Sequence, residues 1–300
     1  MKIVKINVND SGQRVDKFLS KYLPAMPKSL LYKQLRKKRV KRNGKALSAQ
    51  DIIHAGDELY LYICDEFFTE RKAPVGNFEG LSVVYEDDNI LIADKPVGQK
   101  AHGGEDSLLS QIQSYLYQKG EYDPEKEHSF APALSNRIDR NTCGLVLAAK
   151  NAHAQRVLNE KIKAGEIRKE YRCLVHGRFT ESKGELENWL AISTTENRVH
   201  VVPEGTKGSV TAQLLYEVLH EQGERSLLHV TLLTGRKHQI RVQLAEAGHP
   251  LVGDTKYGAP RDAKYAYQAL CAYKLTFAFT SPTEGFENLC GHSFESRFLL

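Results

Sequence analysis

The sequence predicts an α+β protein in two folded parts, and three observations carry that prediction. The 300 residues are enough for two domains, and 41% of them are hydrophobic, enough to bury a proper core. Charge is spread unevenly: residues 1–50 hold 14 Lys and Arg against two Asp, a balance of +12, while the remainder carries −7. Beyond about residue 80, short strand-like runs follow one another with helical patterns lying among them.

The elements can be justified in order. In "QRVDKFLSKYL", Val15, Phe18, Leu19, Tyr22 and Leu23 recur at helical spacing until Pro24 and Pro27 break it. "KSLLYKQLRKK" offers a second short helix with Leu30, Leu31 and Leu35 on one side. Asn43-Gly44 is a hairpin signal, and "DELYLYI" reads as a closing strand. This order gathers Arg36, Lys37, Lys38, Arg39, Lys41 and Arg42 at one corner of a small domain over 1–64. Residues 65–79, with Pro74 and Gly76, carry little periodicity and read as a linker. Residues 80–300 then form one body. Its strands are expected in "LSVVYEDDNILIADK", "GLVLAAK", "EYRCLVHG", "LLHVTLL" and "KLTFAFTSP", its helices in "SLLSQIQSYLYQ" and "NAHAQRVLNEKIKAG".

Several classes are disfavoured. No apolar run reaches the length of a membrane helix, and the start of the chain has no apolar signal region, so a cytoplasmic protein without a membrane partner is expected. Five cysteines, an odd number without a CxxC pair, fit reduced thiols. There is no GxGxxG after a strand, no GxxxxGK[ST], no HExxH and no GxSxG, so no cofactor and no metal are expected. A basic appendage on a near-neutral body points to nucleic acid, with a solvated basic face as the plain alternative.

The stretch "SNRIDRNTCG" places Asp139 between Arg137 and Arg140. That is either an ordinary ion pair or an acid held ionised for chemistry. Were the stretch an extended strand, residues 137 and 139 would share a face and Arg137 would flank Asp139. Three further clusters accompany it: "YEDDNILIADKPVG", "KEY" and "GRKHQIRVQLAEAGHPLVGDTKYG". Together the four resemble the RluA family of RNA pseudouridine synthases in order and spacing, over nearly the whole chain. Residues 12–64, with "RVDKFL", "LYKQLRKKRVKRNGK" and "AGDEL", resemble an S4-type RNA-binding domain. Asn136, Ile138 and Cys143 depart from the family's His, Leu and Ser, and Gln99 and Lys100 from an apolar residue and Pro.

The resemblance implies a mixed, mostly antiparallel sheet with flanking helices as the catalytic domain, plus the small S4-type domain. It implies isomerisation of uridine to pseudouridine in RNA without a cofactor, structured large-subunit ribosomal RNA being the expected partner, and no obligate protein partner. Asp139 matches the catalytic Asp, Tyr171 the Tyr that stacks on the target base, and Arg241 the Arg that pairs with the Asp. Arg137 matches an Arg that enters where the flipped base leaves the RNA, and the six basic residues of the S4-type corner would hold RNA phosphates. Lys95, Pro96, Gly253, Asp254, Tyr257 and Gly258 read as structural, and His238 as a buried, hydrogen-bonded histidine. Two rivals stand beside this reading: a non-catalytic S4-domain binder or ribosome-assembly factor, and a hydrolase of the glycosidic bond.

Overall fold

Hydrophobic spacing and two prolines shape the first sixty residues, as a computed structural model describing residues 1–69, 73–74 and 77–300 shows. The elements are β1 (Lys2–Lys5), α1 (Val15–Tyr22), α2 (Lys28–Arg36), β2 (Val40–Arg42), β3 (Lys45–Ala46) and β4 (Glu58–Leu61). Phe18, Leu19 and Leu31 meet Val40, Leu59 and Leu61 in one buried core. Asn43 and Gly44 both take positive φ, 50° and 78°, the backbone a two-residue hairpin needs, so Arg42 pairs with Lys45. The strands lie in the order β1-β4-β2-β3. Of the expected linker, Asp65–Phe67 form a 3-10 turn with Phe67 and Phe68 packed on this core, while 70–72 and 75–76 lie outside the described residues.

The second body is built on one large sheet. Its elements are β5 (Val83–Glu86), β6 (Ile90–Lys95), α3 (Leu108–Gln118), β7 (Ala133–Leu134), β8 (Cys143–Ala149), α4 (Ala152–Lys163), β9 (Ile167–His176), β10 (Lys183–Ser193), β11 (Arg198–Val202), β12 (Val210–Gln222), β13 (Arg225–Leu232), α5 (Gln239–Glu246), β14 (Leu270–Phe277) and β15 (Ser293–Glu295). Strand order is β11-β10-β12-β13-β9-β14-β8-β6-β5, with β7 on β8 and β15 on β14. Among the described strands, every pairing is antiparallel except β8 with β14. The mixed, mostly antiparallel sheet with flanking helices is therefore what forms.

Burial explains why β6 and β8 read as unbroken apolar runs. Leu91, Ala93, Val146 and Ala148 face a core shared with Leu108, Ile112 and Leu116 of α3. Ile90, Ile92, Leu145 and Leu147 face a second core shared with Ala154 and Leu158 of α4. A strand covered on both sides has no polar face to alternate with. Asp94 interrupts the run. It is fully buried and accepts hydrogen bonds from Ser296 Oγ at 2.8 Å and Arg297 N at 2.8 Å.

Candidate active site

Asp139 stands on an irregular loop, not at the mouth of a strand: β8 begins four residues later, at Cys143. The expected extended strand through 137–139 is replaced by a stretch that buries Ile138 and leaves Arg137 exposed. No ion pair joins Arg137 to Asp139, although both line the same cleft.

Neighbouring side chains hold the loop. Asn136 Oδ1 accepts from Leu147 N at 2.7 Å, so the departure from the family's His still ties the loop to β8. Lys95, fully buried, donates to the carbonyls of Pro96, Gln99 and Arg140 at 2.8, 2.9 and 3.0 Å. Burial pushes its pKa down to about 8, with Cys143 and Asp139 acting the other way, so at pH 7 three ammonium donors still match three carbonyls. Arg140 turns away from Asp139 and donates to Gly98 O at 2.8 Å. Cys143 is buried, its thiol 3.7 Å from Leu270 O.

Arg241 reaches Asp139 from α5. Its Nη1 donates to Asp139 Oδ2 at 2.9 Å. Its Nε and Nη2 donate to the two oxygens of Asp254, at 2.6 and 2.7 Å. The Tyr257 ring centroid lies 5.0 Å from the guanidinium carbon. Burial works against the Arg241 charge, but Asp254 and then Asp139 outweigh it and raise its pKa. Asp254 is buried and was expected as part of a loop at the sheet edge. That loop does dock there, Val252 N donating to Leu174 O at 2.9 Å, but its carboxylate also clamps the arginine.

His238 precedes α5 in the left-handed region, φ 53°, with Nδ1 2.7 Å from Tyr257 Oη. Its Nε2 comes within 3.8 Å of Asp139 Oδ2. Burial pushes its pKa down to about 4 despite the Asp139 charge, so at neutral pH this approach is no ion pair. Tyr171, buried on β9, has a raised pKa, first from burial and then from the Asp139 charge.

These groups meet in an inner pocket of about 50 Å³ lined by Arg137, Asp139, Tyr171, His238 and Arg241. It opens into a cleft of about 870 Å³. Arg137 and Arg140 from the loop, Lys163 at the end of α4, Lys169 on β9, Arg236 and Lys237 before α5, and Lys100 line that cleft. Asp139 is the sole carboxylate among its lining residues. Such a wall suits a polyanion. The basic corner of the first body is separate: Arg36, Lys37, Lys38 and Arg39 are exposed. Lys41 and Arg42 are half-buried, Arg42 in a 2.7 Å ion pair with Asp57 and Lys41 against the Tyr62 ring. Among the described residues, no cluster of His, Cys, Asp and Glu could hold a metal ion.

Residues 89–246 match the family model of RNA pseudouridylate synthase. The chain belongs to that family. It is 30% identical over 263 residues to the ribosomal large subunit pseudouridine synthase C of Escherichia coli K12, covering 86% of this chain and 80% of the relative. The namesake from Vibrio vulnificus is 31% identical over 296 residues, 94% and 89% of the two chains. Two solved human structures share the fold. RNA Pseudouridylate Synthase Domain Containing 4 gives a TM-score of 0.59 at 18% identity, over 74% of this chain and 91% of that one. RNA Pseudouridylate Synthase Domain Containing 1 gives 0.55 at 23%, over 73% and 91%. An RNA pseudouridylate synthase isomerises uridine within RNA.

Proposed function

We propose that this synthase modifies large-subunit ribosomal RNA and that Asp139 is its catalytic carboxylate. The carrying observation is the chain of contacts Asp254–Arg241–Asp139 at the floor of a cationic cleft. The reaction breaks the uridine N1–C1′ bond, turns the uracil and rejoins it through C5, with no net redox change. Attack at C1′ and removal of the C2′ proton both start from an ionised carboxylate beside the ribose. Arg241 aims that carboxylate and compensates its charge. Tyr171 supplies a flat face for the base, and Arg137, exposed at the rim, fills the gap left by the flipped nucleotide. The choice of large-subunit RNA is supported by the relatives, which are named for the ribosomal large subunit.

In this reading residues 1–64 are an S4-type RNA-binding domain and 80–300 the catalytic domain. Arg36 to Arg39, exposed, take RNA phosphates; Lys41 and Arg42 shape the corner behind them. The test uses large-subunit RNA lacking pseudouridine, incubated with purified protein and mapped by chemical modification and primer extension. We expect new pseudouridine, and a loss of at least about a thousandfold in kcat for Asp139→Asn with RNA binding retained. An Asp139→Asn variant as active as the parent would remove Asp139 from the mechanism, and release of free uracil would replace isomerisation by hydrolysis.

A further inference from the structure

Lys169 is half-buried in the cleft wall, and among the described residues nothing hydrogen-bonds or ion-pairs with its ammonium group. The other lysines and arginines lining the outer cleft are exposed and keep their water. Half-buried lysines elsewhere have partners: Lys150 has Glu86 and Glu121, Lys161 has Glu166, Lys274 has Glu295, Lys256 has Asn197 O, and Lys41 lies over the Tyr62 ring. A partly desolvated cation without a partner is costly, and the cost is recovered when an anion arrives. Burial, with no opposing charge, also lowers the Lys169 pKa.

Placement says which anion. Lys169 lies two residues before Tyr171 on β9, on the same side of the strand, about 7 Å further along it. Tyr171 lines both the inner pocket and the outer cleft, whereas Lys169 lines only the outer one. Across the ladder it faces Leu232, which also lines both. Beside its Nζ is Gly235, where even an added Cβ would stay 3.8 Å away, so no side chain closes that flank. With the uracil on Tyr171 and its ribose at Asp139, as proposed above, the adjoining sugar–phosphate backbone would have to leave through the outer cleft, which Lys169 lines.

We propose that Lys169 binds a backbone phosphate flanking the target uridine and so sets the depth at which the flipped nucleotide stops. The inference rests on the functional reading above. A compact ammonium suits a single phosphate oxygen approached end-on.

The test is equilibrium binding of the host's large-subunit RNA transcript by filter retention, from about 50 to 200 mM salt, beside steady-state kinetics on the same transcript. Lys169→Met is expected to weaken binding several-fold at low salt, raise KM and reduce the slope of log K against log salt by about 0.7 to 0.9. Lys169→Arg, which keeps the charge, restores the slope. A Lys169→Met slope equal to that of the parent overturns the proposal. So does a fall in kcat with slope and KM unchanged, which would place Lys169 in the chemistry instead. Binding is read without turnover, so a parent protein that binds this RNA but forms no pseudouridine would sink the functional reading alone.

Discussion

Arg241 presents a planar fork, and its two ends do different work. Asp254 takes Nε and Nη2 in a bidentate pair, which leaves Nη1 as the donor aimed at Asp139. Asp254→Ala is therefore expected to cost about 3–5 kcal/mol, because a buried guanidinium loses its main counter-charge. Urea unfolding of the variant measures that, and an unchanged midpoint would mean that Asp139 alone suffices. Activity should fall as well, since the bidentate pair with Asp254 sets the angle at which Nη1 meets Asp139. The sequence motifs pointed to Asp139 and Arg241 as partners across 102 residues. They did not point to Asp254, because Gly-Asp in a turn-rich loop looks the same whether its carboxylate caps the turn or reaches a neighbouring helix.

Among the elements, those that escaped the sequence reading share a physical cause. α5 buries Gln239, Arg241 and Gln243 along with Ile240, Val242 and Leu244, so polar and apolar residues alternate along six consecutive buried positions, and only its last turn reaches solvent. No amphipathic period survives to mark it. Gln243 repays its burial with bonds to Leu186 O, Asn188 Oδ1 and Ala212 O, which are visible only in three dimensions. β12, "VTAQLLYEVLHEQ", has helix-like spacing of Leu214, Leu215, Val218 and Leu219, yet it is a strand because β10 and β13 pair with it on both sides. β6 and β8 were legible as unbroken apolar runs because both of their faces are covered, and α3 and α4 because each turns one apolar face to a single core. The junction of β8 with β14 depends on Gly144, φ 110°, where a Cβ would collide with the Ala272 backbone. Gly144→Ala is expected to lose about 2–5 kcal/mol, as strain and overpacking add. Gly165→Ala, also at positive φ but with nothing within 4 Å, should lose only about 1–2 kcal/mol. Equal losses in denaturant melts would mean that β14 yields without resistance.

For the molecule as a whole, the strands fall in two sheets, and hydrogen bonds join the parts of the chain that carry them. Asp10, fully buried, accepts from Ser129 N at 2.9 Å and Ser129 Oγ at 2.6 Å. Asn9 reaches Glu127 at 2.6 Å and the first turn of α4 at Ala152 N, 3.1 Å. Gln13 adds a bond to Ser129 Oγ at 2.7 Å, and the Tyr22 ring meets His128 edge-on at 5.4 Å. Nothing in "NVNDSGQ" or "EKEHSF" signals this clasp, since short polar side chains in loops commonly bond within their own turn. Asp10→Ala should free both segments: amide exchange at Ser129 is expected to quicken at least about tenfold, with β6 and β8 unaffected. Unchanged protection at Ser129 would show that the remaining contacts hold the bodies together unaided. A different consequence follows from Asp94. Its carboxylate, one residue before Lys95, is satisfied by groups 202 and 203 positions downstream. At a synthesis rate of about 5–20 residues per second, some ten to forty seconds separate the making of that acid from the making of its partners. Through that interval the nascent sheet holds a carboxylate whose partners do not yet exist, so completion of this sheet waits on Ser296 and Arg297.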